Sequence, residues 1–166
     1  MGSINSAPTT GRHIVSVLEQ AWQDIRDRHP EIPDVVVITG RGSEGEWMTW
    51  GHWHWDPARW VADKSTKPEL FPAGDLLGLG GRRVMEALLH DAVHGLATVR
   101  GIDDTMAYRY HNKHFLRLAR ELGLKGPKDR DPMSGYSACT ITGKTAREYE
   151  ATIAALDAAG MPYVWR

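Results

Sequence analysis

Val84-Met85-Glu86-Ala87-Leu88-Leu89-His90-Asp91-Ala92-Val93-His94-Gly95-Leu96-Ala97 reads as a helix with two histidines four residues apart. At 100° per residue, His90 and His94 lie about 40° apart on one face. Two imidazoles at that spacing reach one metal ion from consecutive turns. Val84, Met85, Leu88, Leu89, Ala92, Val93 and Leu96 fill the adjoining arc, so the histidines flank a buried face. Asp91 stands where the H-E-x-x-H zinc motif has its acid, one methylene shorter. An H-x-x-x-H pair on an apolar helix also arises by chance, and a third ligand is needed to decide.

The next helix supplies a candidate. It begins between Thr105 and His111 and ends at Gly123. Continued as a helix, His111, Phe115, Leu118 and Leu122 fall within about 60° of one another. His111 is then expected at the middle of the buried stripe and His114 at its edge. Lys113, Arg117 and Arg120 form the opposite, solvent-side stripe.

A chain of 166 residues is expected to form one domain with its own core. Its net charge of −1 gives no global argument for nucleic acid or membrane. One cysteine, Cys139, excludes an internal disulfide framework and a cysteine-built zinc ribbon. It fits a reducing compartment, and a cytoplasmic location is expected. No apolar run is long enough to span a bilayer. Residues 1–11 are small and polar, without the apolar core of a signal peptide. They are expected to be disordered, and residues 12–166 to form the domain.

Upstream of the histidine helix, residues 12–28 carry an apolar stripe of Ile14, Val17, Leu18, Ala21, Trp22 and Ile25, stopped by Pro30 and Pro33. Residues 34–39 are a β-branched run and a strand candidate. Gly40-Arg41-Gly42-Ser43-Glu44-Gly45 then matches G-x-G-x-x-G. The dinucleotide reading needs a helix to open there. Instead Glu46–Trp55 is aromatic and alternating, as in a strand. Trp53 and Trp55 share one face, expected to be core; His52 and His54 share the wetter one. Trp60 is expected to pack after the turn at Asp56-Pro57, and 64–68 to be a polar loop. Residues 69–73 form an edge strand because of Pro72, and such an edge can hold an extended peptide.

Downstream, 125–132 is a basic, proline-bearing loop and 136–142 a strand candidate. Thr145 with Glu148 reads as a capping box opening a helix to about Ala159, stopped by Gly160 and Pro162.

His90, His94 and His111 together make a three-nitrogen site with one open position, the donor set of catalytic zinc. Such an ion lowers the pKa of its water towards about 7 and polarises a carbonyl. Asp91 is the acid on the correct turn to take the proton. Its reach falls short of glutamate's by about 1.5 Å, one C–C bond. Asp103 and Asp104 are candidates to orient a ligand imidazole, or are loop and cap acids. Tyr108, Tyr110, Tyr136 and His114 are candidates to stabilise an oxyanion, or packing residues.

His90-Asp91-Ala92-Val93-His94, followed by His111-Asn112-Lys113-His114-Phe115, resembles the SprT-like (SprT/Spartan) zinc metallopeptidases. There a His-Glu-x-x-His helix precedes a His-Gly-x-x-Phe/Trp element. The resemblance covers residues 14–124 and is strongest from Gly80 to Leu122. It implies one zinc per chain on His90, His94 and His111, with Asp91 in the catalytic acid's place. It also implies a minigluzincin-like, zincin-like α+β single domain: a small antiparallel-containing sheet packed on helices, with the metal site on two helices. The implied activity is cleavage of protein or peptide substrates, often DNA-associated. Asp91 for Glu bears on turnover more than on metal binding. Asn112 for Gly is a minor change at a helix start. No zinc ribbon or other DNA-binding module follows.

Residues 100–130 carry more basic than acidic side chains, and Lys113, Arg117 and Arg120 are candidate phosphate contacts to DNA or a DNA-bound partner. A solvated helix face explains them equally well. Two rivals stand beside the peptidase: a metal-stabilised pseudo-peptidase that grips protein or DNA without turnover, and a zinc hydrolase for a non-peptide substrate.

Overall fold

The computed structural model of the chain describes residues 9–42, 55–107 and 109–164. Its first helix, α1 (Thr10–Arg28), buries Leu18, Ala21, Trp22 and Ile25. It starts two residues ahead of the expected Arg12, so residues 10 and 11 are helical, not a disordered lead-in. The strand expected over 34–39 is only β1 (Val36–Val37). It pairs in parallel with β4 (Glu69–Leu70), Val36 opposite Glu69 and Val37 opposite Leu70.

Between them, β2 (Trp60–Ala62) and β3 (Ser65–Lys67) form an antiparallel hairpin where a polar loop was expected. Asp63 and Lys64 make its turn, both at positive φ (50° and 65°). That is the backbone hand a two-residue hairpin turn requires. The expected Trp/His strand at 46–55 lies outside the described residues except for Trp55, whose indole stacks on Trp22 with ring centroids 6.3 Å apart.

A short helix, α2 (Gly74–Leu77), leads into α3 (Gly81–Val99), the histidine helix. Its start is set from a distance: Gly80 takes φ 90°, and the Asp157 carboxylate accepts the Gly81 N–H at 2.6 Å. A carboxylate at that end also complements the helix dipole. Its end is a Schellman turn. Gly101 (φ 63°) donates to Thr98 O and Ile102 to Ala97 O, which satisfies the last carbonyls. Between those ends Val84, Met85, Leu88, Leu89, Ala92 and Val93 are fully buried.

The third histidine arrives differently from expectation. β5 (Thr105–Met106) pairs antiparallel with β6 (Tyr110–His111), and α4 (Lys113–Glu121) starts only after Asn112. His111 is therefore the last residue of a strand, not part of the helix. α4 buries Phe115, Leu118 and Ala119 against α3. Then β7 (Leu124–Lys125) pairs antiparallel with β8 (Thr140–Ile141), the only strand within the expected 136–142.

Two helices close the chain, α5 (Gly143–Glu148) and α6 (Glu150–Ala158), broken at Tyr149. The cap is Thr142, whose hydroxyl accepts the Thr145 N–H at 3.1 Å; the expected cap, Thr145, is already inside the helix. α6 crosses both α1 and α3, so α3 is enclosed by α1, α4 and α6 around one hydrophobic core. The architecture is mixed α+β: two-stranded sheets packed on helices, one parallel and three antiparallel among the described residues.

Candidate metal centre

α3 places His90 and His94 one turn apart, and β6 carries His111 to them across the helix face. The three Nε2 atoms converge, with His90 to His111 at 3.1 Å, His111 to His94 at 3.2 Å and His94 to His90 at 3.3 Å. Three ligands on a tetrahedral zinc, with bonds of about 2.0–2.1 Å, stand roughly 3.3 Å apart. The three nitrogens therefore have the dimensions of one face of such a tetrahedron.

The other side of each ring explains why those nitrogens meet. His94 Nδ1 donates to the Asp104 carboxylate at 2.7 Å, and His111 Nδ1 to the Arg109 carbonyl at 2.8 Å. The ring of His90 is hydrogen-bonded to the backbone of Ser137. With their protons turned outward, all three Nε2 atoms present lone pairs to one point. Three acceptors packed that closely repel one another unless a cation or proton lies between them. His94 and His111 are each 8% exposed, and His90 is half-buried. Burial, with the other imidazoles nearby, pushes the His90 pKa well below that of free histidine; the same causes bring His111 down to about 4. The lowered values favour neutral His90 and His111, the form in which imidazole binds metal.

Phe115 is fully buried and forms the floor. Its ring centroid lies 4.8 Å from that of His90, 5.1 Å from His94 and 4.4 Å from His111. Above the triad opens a cleft of about 1610 Å³, whose walls include Asp91, Asp103, Glu86, Met133, Ser137 and Cys139. Burial raises the Asp91 carboxyl to about 6, against a smaller downward pull from His94. Cys139 is pushed up to about 11 by burial, and its Sγ donates to the Tyr136 carbonyl at 3.1 Å. It is a thiol at neutral pH, unsuited as ligand or nucleophile in that state.

The described residues bring together His90, His94, His111, Asp91 and Asp104. A metal site on two helices is corrected to one helix and a strand end. Asp103 is exposed on the cleft rim; its carbonyl, not its carboxylate, does the holding, by accepting from Asn112. Tyr110 is half-buried opposite Met106 and does not line the cleft. Nor does His114, exposed on the first turn of α4, or Tyr136, packed against the core. Tyr108 lies outside the described residues, as do His52 and His54. Lys113, Arg117 and Arg120 are exposed and away from the cleft, and form no ion pair among the described residues.

From the sequence, 131–132 belong to a loop and 136–137 to a strand candidate, and residues 131–135 and Ser137 have no expected part in the site. Residues 131–137 fold back on the site: His111 N–H donates to Ser134 O at 3.0 Å, Tyr136 N–H donates to His111 O at 2.9 Å, and Ser137 holds His90. Asp131 builds the turn, its Oδ1 accepting from Met133 N at 2.8 Å, Ser134 N at 2.7 Å and the Ser134 hydroxyl at 3.0 Å. Gly135 (φ 65°) lies so close that a Cβ there would overlap the His111 carbonyl. Asp-Pro-Met-Ser-Gly is turn chemistry, the signal that was available.

No protein-family model matches the chain, and no curated protein or solved structure matches it significantly. No helix among the described residues is long and apolar enough to cross a membrane.

Proposed function

We propose that this chain is a zinc-dependent hydrolase of the SprT-like metallopeptidase kind, acting on protein or peptide substrates in a zincin-like fold. The observation that carries it is the convergence of three outward-anchored imidazoles on one point, with the half-buried Asp91 lining the same open cleft. His90, His94 and His111 would hold the ion. When bound, it supplies a Lewis acid that polarises a substrate carbonyl and makes a water more acidic.

The chain's own contribution is positional and basic. Asp104 and the Arg109 carbonyl fix the tautomers of His94 and His111. Asp91 accepts the proton of the attacking water and returns it to the leaving amine. Its carboxyl, raised to about 6, sits near neutrality, where a group serves in both directions.

Elemental analysis and cleavage of a casein-like and a basic protein test the reading together. Native chain and Asp91→Asn are expected to bind one zinc each, and His90→Ala to lose it. Cleavage is expected from the native chain, falling by about 10²–10⁴-fold in Asp91→Asn. A zinc-loaded native chain that cuts nothing, while Asp91→Glu cuts, would establish a binding module in place of a peptidase.

A further inference from the structure

We infer that Asn112 is a positioning residue of the metal centre, joining the partner of His94 to the strand that carries His111. The inference rests on the metal-binding part of the reading above.

Asn112 follows His111 directly and caps α4, its Oδ1 accepting from His114 N at 2.7 Å and Phe115 N at 3.2 Å. A serine or an aspartate does that much. Its two donors, the side-chain amide and the main-chain N–H, do something else. The Nδ2 amide donates to the Asp103 carbonyl at 2.8 Å, and the main-chain N–H donates to the Asp104 carbonyl at 3.0 Å. Two successive carbonyls of the acidic loop are thus fastened to one residue. The side chain of the second, Asp104, is the hydrogen-bond partner of His94.

The consequence is mechanical. The loop at 103–104 follows the Schellman turn at Gly101 and lies next to β5. Within it, the position of the Asp104 carboxylate depends on where its own backbone is held. The main-chain N–H, which any residue at 112 other than proline would keep, holds the Asp104 backbone; the Asn112 carboxamide adds a second hold one residue earlier, on Asp103, from the same point that sets His111. Two of the three ligands are thereby referenced to one residue, which itself touches neither imidazole's Nε2. Asparagine alone combines the capping acceptor with a donor at that reach: aspartate keeps the cap but sets a carboxylate against the Asp103 carbonyl, and serine keeps the cap but is too short to bridge.

Asn112→Ser and Asn112→Asp therefore separate cap from clamp. Zinc affinity is measured by competition with a chromophoric chelator, and the tautomer of His94 by 1H–15N correlation in the metal-free protein. Both variants are expected to keep native helix content, bind zinc about 10–100-fold more weakly, and lose the single Nδ1–H tautomer of His94. Asp104→Asn should weaken zinc similarly, and adding Asn112→Ser to it should cost little more, because the two act through one linkage. Native zinc affinity in Asn112→Ser, or losses that multiply in the double variant, would reduce Asn112 to a helix cap. If the native chain binds no zinc, the proposed function fails, while an unchanged or altered His94 tautomer still decides for or against the clamp.

Discussion

At the scale of single residues, the site depends on places where only one side chain fits. Gly135 is the sharpest. Its φ of 65° costs a non-glycine residue about 1–2 kcal/mol, and a methyl group there also overlaps the His111 carbonyl. Gly135→Ala should lower the melting temperature by several degrees and weaken zinc binding at least tenfold. A drop in stability with native zinc affinity would show that the turn and His111 move independently. Asp91 is the opposite case, a residue whose chemistry is set by surroundings: the same carboxyl in water would titrate near 4. At this scale the pair was legible, because histidines at i and i+4 of a helix share a face, while His111 was picked out by a helical stripe that it does not belong to. Asn112 was not. One carboxamide bonding at both ends depends on a loop whose path no local pattern encodes.

At the scale of elements, α3 is the axis and its neighbours are placed by close approach. Gly81 is buried where α3 meets α6, and a Cβ there would collide with the carbonyl of Ile153. Gly81→Ala should cost on the order of 1–3 kcal/mol by driving the helices apart, and would also disturb the Asp157 bond that starts α3. Urea denaturation checks it; a variant as stable as the native chain would mean that α6 yields freely. At the far end Arg100 grips Glu31 and Glu121, tying the end of α3 to the segment after α1 and to the end of α4. The apolar stripes of α1, α3 and α4 were readable from their period. His111 pointed inward as expected, but as the end of a two-residue strand. A helical wheel and a strand can agree on where one residue faces, and here the agreement was accidental. The short strands went largely unread because two-residue ladders carry almost no periodicity. Tertiary packing, not local propensity, decides them.

At the scale of the molecule, the buried imidazoles give the metal-free protein a pH signature. The folded pKa values of His90 and His111, and of the half-buried His29, lie below that of free histidine. Below about pH 6.5 the unfolded chain takes up protons that the folded one refuses, so stability falls with acid until the folded pKa values are reached, about 4 for His111. Asp91 works the other way, because its raised pKa lets the folded state bind a proton first. Three imidazoles against one carboxyl leave a net loss. The slope is about 1.4 kcal/mol per pH unit for each net proton. Melting curves of chelator-treated protein between pH 7 and 4 should fall, and His111→Leu should fall less steeply. A flat profile would mean that the triad is open to water. Zinc should raise the curve most at neutral pH and least near pH 4, where protons compete for the same nitrogens.

The groups that close around the triad come from residues 90–94, 104, 109–112 and 134–137, spread over much of the chain's second half. A growing polypeptide that has reached only α4 owns all three imidazoles, yet lacks the backbone that seats one of them and pins another. On the proposed reading, high-affinity capture of an ion then waits on residues 134–137. A chain cut before those residues is expected to bind zinc more weakly than the full chain, although it keeps all three imidazoles.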